Sequence, residues 1–461
     1  MGDMVMTVDV VVIGSGPGGY SAAFRAAELG FDVTLVDPRP KPGGSYLYDG
    51  CIPSKSFLSQ TKILAETQKS QTMGIHFPTP EIDLKQMHFW KDKIVGDIAD
   101  NLFNLCSKYG VQLIQGKAFF ESSDTIRLQD SELSRLKYKF AIIATGSSPI
   151  MFDGTHFSQY KKVMSPAQAL NITTIPKKML VIGGGCVGLE IGSIYAALGC
   201  TIDLAEQSNQ ILPNVDEDLI KPLTDQLSSR FNRLLLQTTV TNFTESEKHV
   251  KVEMETPVGK ESHGYDYAVI AIGHKAQSDE LGLENTLVEL DNTGFIKTDL
   301  QQRTNDLNIF AVGDITNSKM HAHTAIRQGR IAAEVIAGHP SAFDIRAIPN
   351  IIYTNPQIAW CGLTEKEAIN QNIPVIIKKH PWKYSTRAIT LSETDGLTKI
   401  LTSKEDGRIL GAGITGTGAE DLISEWILAV EMGALAEDIE LCLHGHPTLS
   451  EACGKVWQCF M

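Results

Sequence analysis

The chain has 461 residues, 43% of them hydrophobic and 21% charged, which suits a globular protein of roughly two to four domains with a large buried core. A net charge of −13 argues against a surface for nucleic acid or anionic membrane. No apolar run reaches about 18 residues, so no spanning helix is expected. Eight scattered cysteines without CxxC spacing read as neither a disulfide framework nor a zinc site, so no metal is expected and a reducing cytoplasm is the expected location.

The chain opens "MGDMVMTVDVVVIGSG". No basic stretch precedes its first apolar strand, so no signal peptide is expected. That strand begins a unit that occurs twice, as "DVVVIGSGPGGYSAAFRAAELGFDVTLVD" at residues 9–37 and "KMLVIGGGCVGLEIGSIYAALGCTIDLAE" at residues 178–206. Each predicts an apolar strand, a GxGxxG turn, an Ala-rich helix and a second strand ending in an acid. The glycines are Gly14, Gly16 and Gly19 with Asp37, then Gly183, Gly185 and Gly188 with Glu206, and the interval from first glycine to acid is the same in both. The first glycine permits a tight turn, the second lets backbone approach a pyrophosphate, and the third lets helix pack on strand. The helix start offers N–H groups to the phosphates, and the acid accepts from a ribose diol. Two such copies predict two dinucleotide sites. Gln207, Ser208 and Asn209 follow Glu206 with no cation for a 2′-phosphate, so the second site is expected to prefer NAD(H) to NADP(H).

Between the repeats lies "GGSYLYDGCIPSK", residues 43–55. Pro53 suits the first helical position. That puts Cys51 just before the helix, at the positive end of its dipole, where thiolate is favoured; a buried structural cysteine is the plainer alternative. Lys55 lies one turn along on a similar face. "YKFAIIATGSSP" (138–149) and "YDYAVIAIGHKAQS" (265–278) predict short strands that close the two units. "IFAVGD" sets Asp314 after a strand and a glycine, as a polyol acceptor or as a cap. From about Ile348, short strands and two helical segments predict a separate α+β domain. Near the end, "HPTLSE" reads as a capping box, with Thr448 as N-cap and Glu451 completing it. His446 beside it is either an ordinary histidine or a candidate acid–base near neutral pH.

Jointly, "GSGPGGYSAAFRAAELG", "GCIPSK", "ATGS", "GGGCVGLEIGSIYAALG", "IFAVGD", "YTNPQIAWCGLTE" and "HGHPTLSE" resemble the motifs of the pyridine nucleotide–disulfide oxidoreductase family of flavoprotein disulfide reductases. The likeness covers nearly the whole chain and is greatest to the branch that acts on dihydrolipoamide. The resemblance implies an α/β fold with two Rossmann-like dinucleotide-binding domains, for FAD at 1–150 and NAD at 151–280. It further implies a central domain at 281–347 completing the FAD site and a C-terminal α+β dimerisation domain at 348–461. FAD contacts are implied at Gly14, Gly16, Pro17, Gly18, Gly19, Asp37 and Pro38, then at Gly44, Ser45, Gly50, Lys55 and Ala118. Ala144, Thr145, Gly146 and Asp314 join them, with Met320, His321, Ala322 and His323 where a helix starts beside the isoalloxazine. NAD contacts are implied at Gly183, Gly185, Gly188, Glu190, Glu206, Val240 and Gly273. By the same resemblance Cys51 is a flavin-facing thiolate, and Lys55 pairs with Glu190. His446, oriented by Glu451, serves the partner subunit's thiols in a homodimer; His444 is structural. Docking to a 2-oxo acid dehydrogenase complex would accompany that activity.

Two departures stand out. The family pattern GGxCxxxxC has its first redox cysteine where this chain has Tyr46, and His274 and Ala276 replace the usual Arg and Pro. The expected function is a FAD-dependent NAD(H) oxidoreductase with an altered acceptor step. The acceptor would be a small molecule such as a quinone, or a thiol or disulfide handled by a single-cysteine cycle at Cys51. The alternatives are a genuine disulfide reductase rescued by Cys453 or Cys459, and a non-catalytic FAD-binding subunit.

Overall fold

In the computed structural model, which describes residues 5–152, 155–317 and 319–456, both repeats form the strand–turn–helix–strand unit that their sequences predict. Strand Val5–Ile13 leads into helix Pro17–Glu28 and strand Val33–Asp37. Strand Lys178–Ile182 leads into helix Cys186–Ala197 and strand Thr201–Ala205. The chain divides into two compact units, residues 1–56, 85–152 and 273–344 in one, and 57–84, 153–272 and 345–461 in the other.

The first unit is built on a seven-stranded sheet. Val5–Ile13 pairs in parallel with Val33–Asp37 and with Arg135–Ile143, and Gln112–Gln115 extends the parallel set. Ile309–Ala311 adds in parallel to Arg135–Ile143, which brings residues 273–344 into this unit. Thr125–Gln129 and Lys117–Ser122 complete the sheet antiparallel. The strand predicted to close the unit is therefore central in space. Its inner residues Ala141, Ile142 and Ile143 are fully buried, as the continuous apolar run of a strand covered on both faces requires. Helices Pro17–Glu28 and Ala322–Ile336 meet through glycine. A Cβ at Gly329 would lie 2.2 Å from the Gly18 carbonyl oxygen, so no larger residue permits the approach.

The nucleotide part of the second unit is a five-stranded parallel sheet. Its order is Arg233–Leu235, Thr201–Ala205, Lys178–Ile182, Tyr267–Ile270 and Val163–Met164. An antiparallel sheet of Thr239–Glu245, Val250–Thr256 and Gly259–Tyr265 accompanies it. The C-terminal part is a five-stranded antiparallel sheet in the order Asn350–Ile352, Ile358–Gly362, Ile409–Thr415, Leu397–Ser403 and Val375–Pro381. Helix Ala419–Met432 contributes Trp426 to the same core as Trp382. Where two helical segments were expected, Glu365–Asn370, Thr386–Thr390, Ala436–Leu441 and Glu451–Lys455 are also helical; these are too short to show an apolar stripe. Lys399, 1% exposed, ties this sheet to the nucleotide part. Its Nζ lies 2.7, 2.7 and 3.0 Å from carboxylates of Asp216, Asp218 and Glu365. Among the described residues no helix is long and apolar enough to cross a membrane.

Candidate dinucleotide and thiol sites

At the first and third positions of each glycine turn only glycine fits. Gly14 has φ +99°, and a Cβ there would lie 2.4 Å from the Ala144 carbonyl oxygen; a Cβ at Gly19 would lie 1.7 Å from the Gly14 oxygen. The second turn repeats this, with Gly183 at φ +106° and 2.3 Å from the Ala271 oxygen, and Gly188 at 2.0 Å from the Gly183 oxygen. The helices that follow have Gly16 and Gly185 at their N-caps, and no side chain caps either one. Bare N–H groups at the positive end of a helix suit a pyrophosphate.

The acids do more than the sequence suggested. Asp37 accepts from the Ser15 backbone N–H at 2.7 Å, the Ser15 hydroxyl at 2.8 Å and the Arg39 N–H at 2.8 Å. Glu206 accepts from the Gly184 and Ser208 N–H groups, both at 2.7 Å. In both repeats the residue between the first two glycines donates to the acid. The carboxylate thus braces the turn and keeps acceptor capacity for a ribose diol. Both turns therefore fit a dinucleotide.

Asp314 lies in a short turn, Gly313–Ile315, where the Ser147 hydroxyl donates to its Oδ2 at 2.8 Å. Burial raises its pKa, against the opposing effects of Ser147 and His274. His274, one of the two departures from the family pattern, thus falls beside Asp314, because its strand His274–Ala276 pairs with Ser147–Pro149. Burial lowers the pKa of His274 and the Asp314 charge opposes that. Gly273, next to it in the chain, has φ +121°. Met320 precedes helix Ala322–Ile336, whose N-cap is His321. His321 stacks on His323 with centroids 4.9 Å apart, and burial, then His323 and Lys319, push its pKa down to about 4.

The helix Cys51–Ser70 begins at the cysteine. The Ser54 N–H donates to the Gly50 carbonyl at 3.0 Å, so Gly50 is the flanking residue and Cys51 the first helical one. This corrects the expected register. Pro53 is third in the helix, still in the first turn where its missing N–H is harmless. Cys51 is exposed and Lys55 half-buried. Tyr46 sits in the short helix Ser45–Tyr48, half-buried in a cluster with Tyr20, Phe24, Leu47, Val95, Ile98 and Leu102. The Tyr20 hydroxyl donates to the Tyr46 hydroxyl at 3.5 Å. Burial, then Tyr46, raises the pKa of Tyr20, so Tyr20 stays a neutral phenol.

Glu451 holds the histidine, as one reading expects, and keeps only the Thr448 N–H half of the expected capping box. Its Oε1 lies 2.9 Å from His446 Nδ1, and its Oε2 accepts from the Thr448 N–H at 3.1 Å. Lys455 Nζ is 3.1 Å away. The helix Glu451–Lys455 starts later than predicted, with Ser450 at the N-cap in place of Thr448. The His446 hydrogen bond, then the Thr448 N–H and Lys455, hold the Glu451 pKa down at about 2 against partial desolvation. A carboxylate at Nδ1 takes that N–H, leaving Nε2 as the acceptor of a ring that is 65% exposed.

Glu190, 3% exposed, accepts from the Tyr353 N–H at 3.3 Å. The side chains of Ala118 and Val240 are buried, at 8% and 5%, so both residues face the core. Cys51, Lys55 and Asp314 belong to the first unit; Glu190, Glu206, His446 and Glu451 belong to the second. Cys453 is 1% exposed and burial pushes its thiol pKa up, which removes it as a substitute nucleophile. Cys459 lies outside the described residues.

The pyridine nucleotide-disulphide oxidoreductase pattern matches residues 8–329, and the dimerisation domain of that family matches residues 348–456. The chain is 40% identical to a dihydrolipoyl dehydrogenase of Buchnera aphidicola subsp. Schizaphis graminum over 456 residues, 98% of this chain and 95% of that protein. It is 38% identical to a dihydrolipoyl dehydrogenase of Vibrio parahaemolyticus over 453 residues, 98% of this chain and 95% of that one. The crystal structure of LpdA from Mycobacterium tuberculosis is similar with a TM-score of 0.89 at 25% identity, covering 97% of this chain and 99% of that one.

Proposed function

The chain belongs to the pyridine nucleotide-disulphide oxidoreductase family, and from that premise we propose that this dihydrolipoyl dehydrogenase-like enzyme departs from its relatives at the electron acceptor. It is an NAD(H)-linked flavoprotein oxidoreductase, its cofactors are FAD and NAD(H), and its dimerisation domain makes it a homodimer. FAD and NAD(H), when bound, supply hydride exchange. Residues 14–19 and Asp37 would hold the FAD pyrophosphate and ribose, and Asp314 with Ser147 its polyol chain. Residues 183–188 and Glu206 would hold NAD(H).

The observation that carries the altered step is Tyr46, seated in an apolar cluster and hydrogen-bonded to Tyr20. A phenol forms no disulfide with Cys51 and attacks none, so the relay of two thiols that exchanges with an external disulfide is missing. Cys51 keeps the helix position that favours a thiolate, and we assign Lys55, one turn along the same helix, as its cationic support. His446, braced by Glu451, offers Nε2 to take or give a proton at the acceptor face. A small quinone-type acceptor, which takes up two electrons and two protons, needs no cysteine pair. A cytoplasmic location agrees with the unlinked thiols of Cys106, Cys200 and Cys361.

The test is an NADH-driven acceptor screen on FAD-loaded protein. Quinone or dye reduction is expected, with lipoamide turnover lower by at least about 100-fold. Tyr46→Cys is expected to raise lipoamide turnover and leave quinone reduction in place. Wild-type lipoamide turnover matching the quinone rate overturns the reading. A flavin left oxidised by anaerobic NADH would make the protein a binding subunit instead.

A further inference from the structure

Glu425, His444 and Cys453 come from three segments of the C-terminal part: helix Ala419–Met432, the loop leading to His446, and helix Glu451–Lys455. One carboxylate oxygen, one imidazole nitrogen and the thiol sulfur all lie within 4.8 Å of one another. His444 Nε2 is 2.8 Å from Glu425 Oε1. The Cys453 residue is 1% exposed, while the His444 and Glu425 side chains keep 12% and 32%. The cluster is thus closed at the sulfur and open at the carboxylate. Gly454 leaves space for the imidazole, since a Cβ there would lie 3.2 Å from His444 Nδ1.

We propose that Glu425, His444 and Cys453 form a binding site for one divalent transition metal of the Zn(II) kind, with water in the remaining position. Sulfur, nitrogen and oxygen donors together are the ligand types of zinc, with bonds of about 2.3, 2.0 and 2.1 Å. Tetrahedral angles then set the donors roughly 3.2–3.6 Å apart, which small side-chain adjustments reach from the observed cluster. The charges close as well. Without metal, the buried thiol is neutral, because burial and the nearby Glu425 charge both disfavour the thiolate. The metal displaces that proton, as Cys–SH + Zn²⁺ → Cys–S–Zn⁺ + H⁺, with the proton going to buffer. Glu425 supplies the second negative charge, so the loaded site is neutral and its burial costs little. His444 donates its Nε2 lone pair, with its own proton on Nδ1. The acidic cluster of Asp216, Asp218 and Glu365 provides the contrast. It is already filled by the Lys399 ammonium, whereas no Lys or Arg pairs with Glu425 among the described residues. Sequence spacing hides the site because its donors are drawn from three separate segments and not from a CxxC element. The metal would fix the loop that carries His446.

Zn(II) titrated calorimetrically into the FAD-loaded protein, in two buffers of different ionisation enthalpy, tests this. Bound zinc is counted by mass spectrometry after gel filtration. About one zinc per chain and about one released proton are expected. Cys453→Ala and His444→Gln are each expected to weaken binding by at least about tenfold, and Cys453→Ala to abolish the proton release. Cys51→Ser is expected to keep both. Absence of stoichiometric zinc in the wild type overturns the proposal. So does zinc that follows Cys51 and ignores Cys453. Should Cys453→Ala fail to retain flavin, His444→Gln decides alone, and unchanged zinc affinity in that variant is refutation.

Discussion

Glu451 shows how one carboxylate can carry two functions when each oxygen has its own partner. Oε2 accepts from the Thr448 N–H in the turn before the helix, and Oε1 holds the His446 ring. Its pKa of about 2 lies below the ordinary 4.5. The stabilisation it brings is therefore complete above pH 4.5 and is lost as the pH falls through about 2. Between pH 5 and 9 the carboxylate stays ionised, and no inflection in kcat/KM should trace to it. Glu451→Gln keeps the shape and removes the charge, so turnover at the acceptor step should fall about 10–100-fold while KM for NADH barely moves. Steady-state kinetics with the best acceptor would check this, and an unchanged kcat would reduce Glu451 to a brace of the Thr448 turn. Both partners were legible in "HPTLSE", but as rivals, because a sequence does not separate the two oxygens of a carboxylate. The Asp37–Ser15 and Glu206–Gly184 braces were not visible at all. They join residues far apart in sequence, and one donor in each is plain backbone.

The glycine turns, by contrast, are local devices and were legible residue by residue. Gly14 and Gly183 combine positive φ with a carbonyl oxygen closer than any Cβ tolerates. Gly183→Ala should leave FAD bound and abolish reduction of the flavin by NADH, read as loss of the 450 nm bleaching at about millimolar NADH. Gly14→Ala should instead lower the FAD-to-protein ratio of the purified chain. A Gly183→Ala protein whose flavin still bleaches as fast as wild type would show that the second turn holds no nucleotide. Register was harder. Proline is tolerated across the first helical turn, so Pro53 alone could not locate the helix start that Gly50 sets. The strand Arg135–Ile143 was recognised by its apolar run, yet its central place came from pairing with Ile309–Ala311, which no local pattern encodes. Tyr46 was seen as a missing thiol. Its packing depends on the remote helix Leu84–Tyr109 and was out of reach of the motif.

Within the second unit, a single buried lysine joins segments distant in sequence. Lys399 sits on Leu397–Ser403 and meets Asp216 and Asp218, at the start of helix Glu217–Arg230, together with Glu365. The Glu365 and Lys366 N–H groups also donate to Asp216, and the Thr415 hydroxyl to the Leu219 carbonyl at 2.6 Å. These contacts explain why residues 153–272 and 345–461 group together. Composition gave no hint of it, since a buried lysine looks like any other until its carboxylates are placed around it. Lys399→Met removes the cation and leaves buried carboxylates with Lys379 as the remaining ammonium. A loss of about 3–5 kcal/mol at pH 7.5 is expected, the usual cost of stranding one side of a buried pair. Its pH dependence has a definite sign. Burial alone would raise the Asp218 pKa, but hydrogen bonds from Lys379 and Lys399 overcome it and the net direction is down. Wild-type Asp218 therefore stabilises the fold above its ordinary 3.8 and loses that contribution as the pH falls below it. In the variant Lys379 alone opposes the burial effect, so Asp218 protonates more readily than in the wild type, and protonation relieves the repulsion among the carboxylates. The difference in Tm between wild type and Lys399→Met should accordingly narrow from pH 7.5 to pH 4.5. Thermal unfolding followed by flavin release and circular dichroism at both pH values decides it, and a Tm gap that is the same at both would mean that Lys399 holds the unit by packing and not by charge.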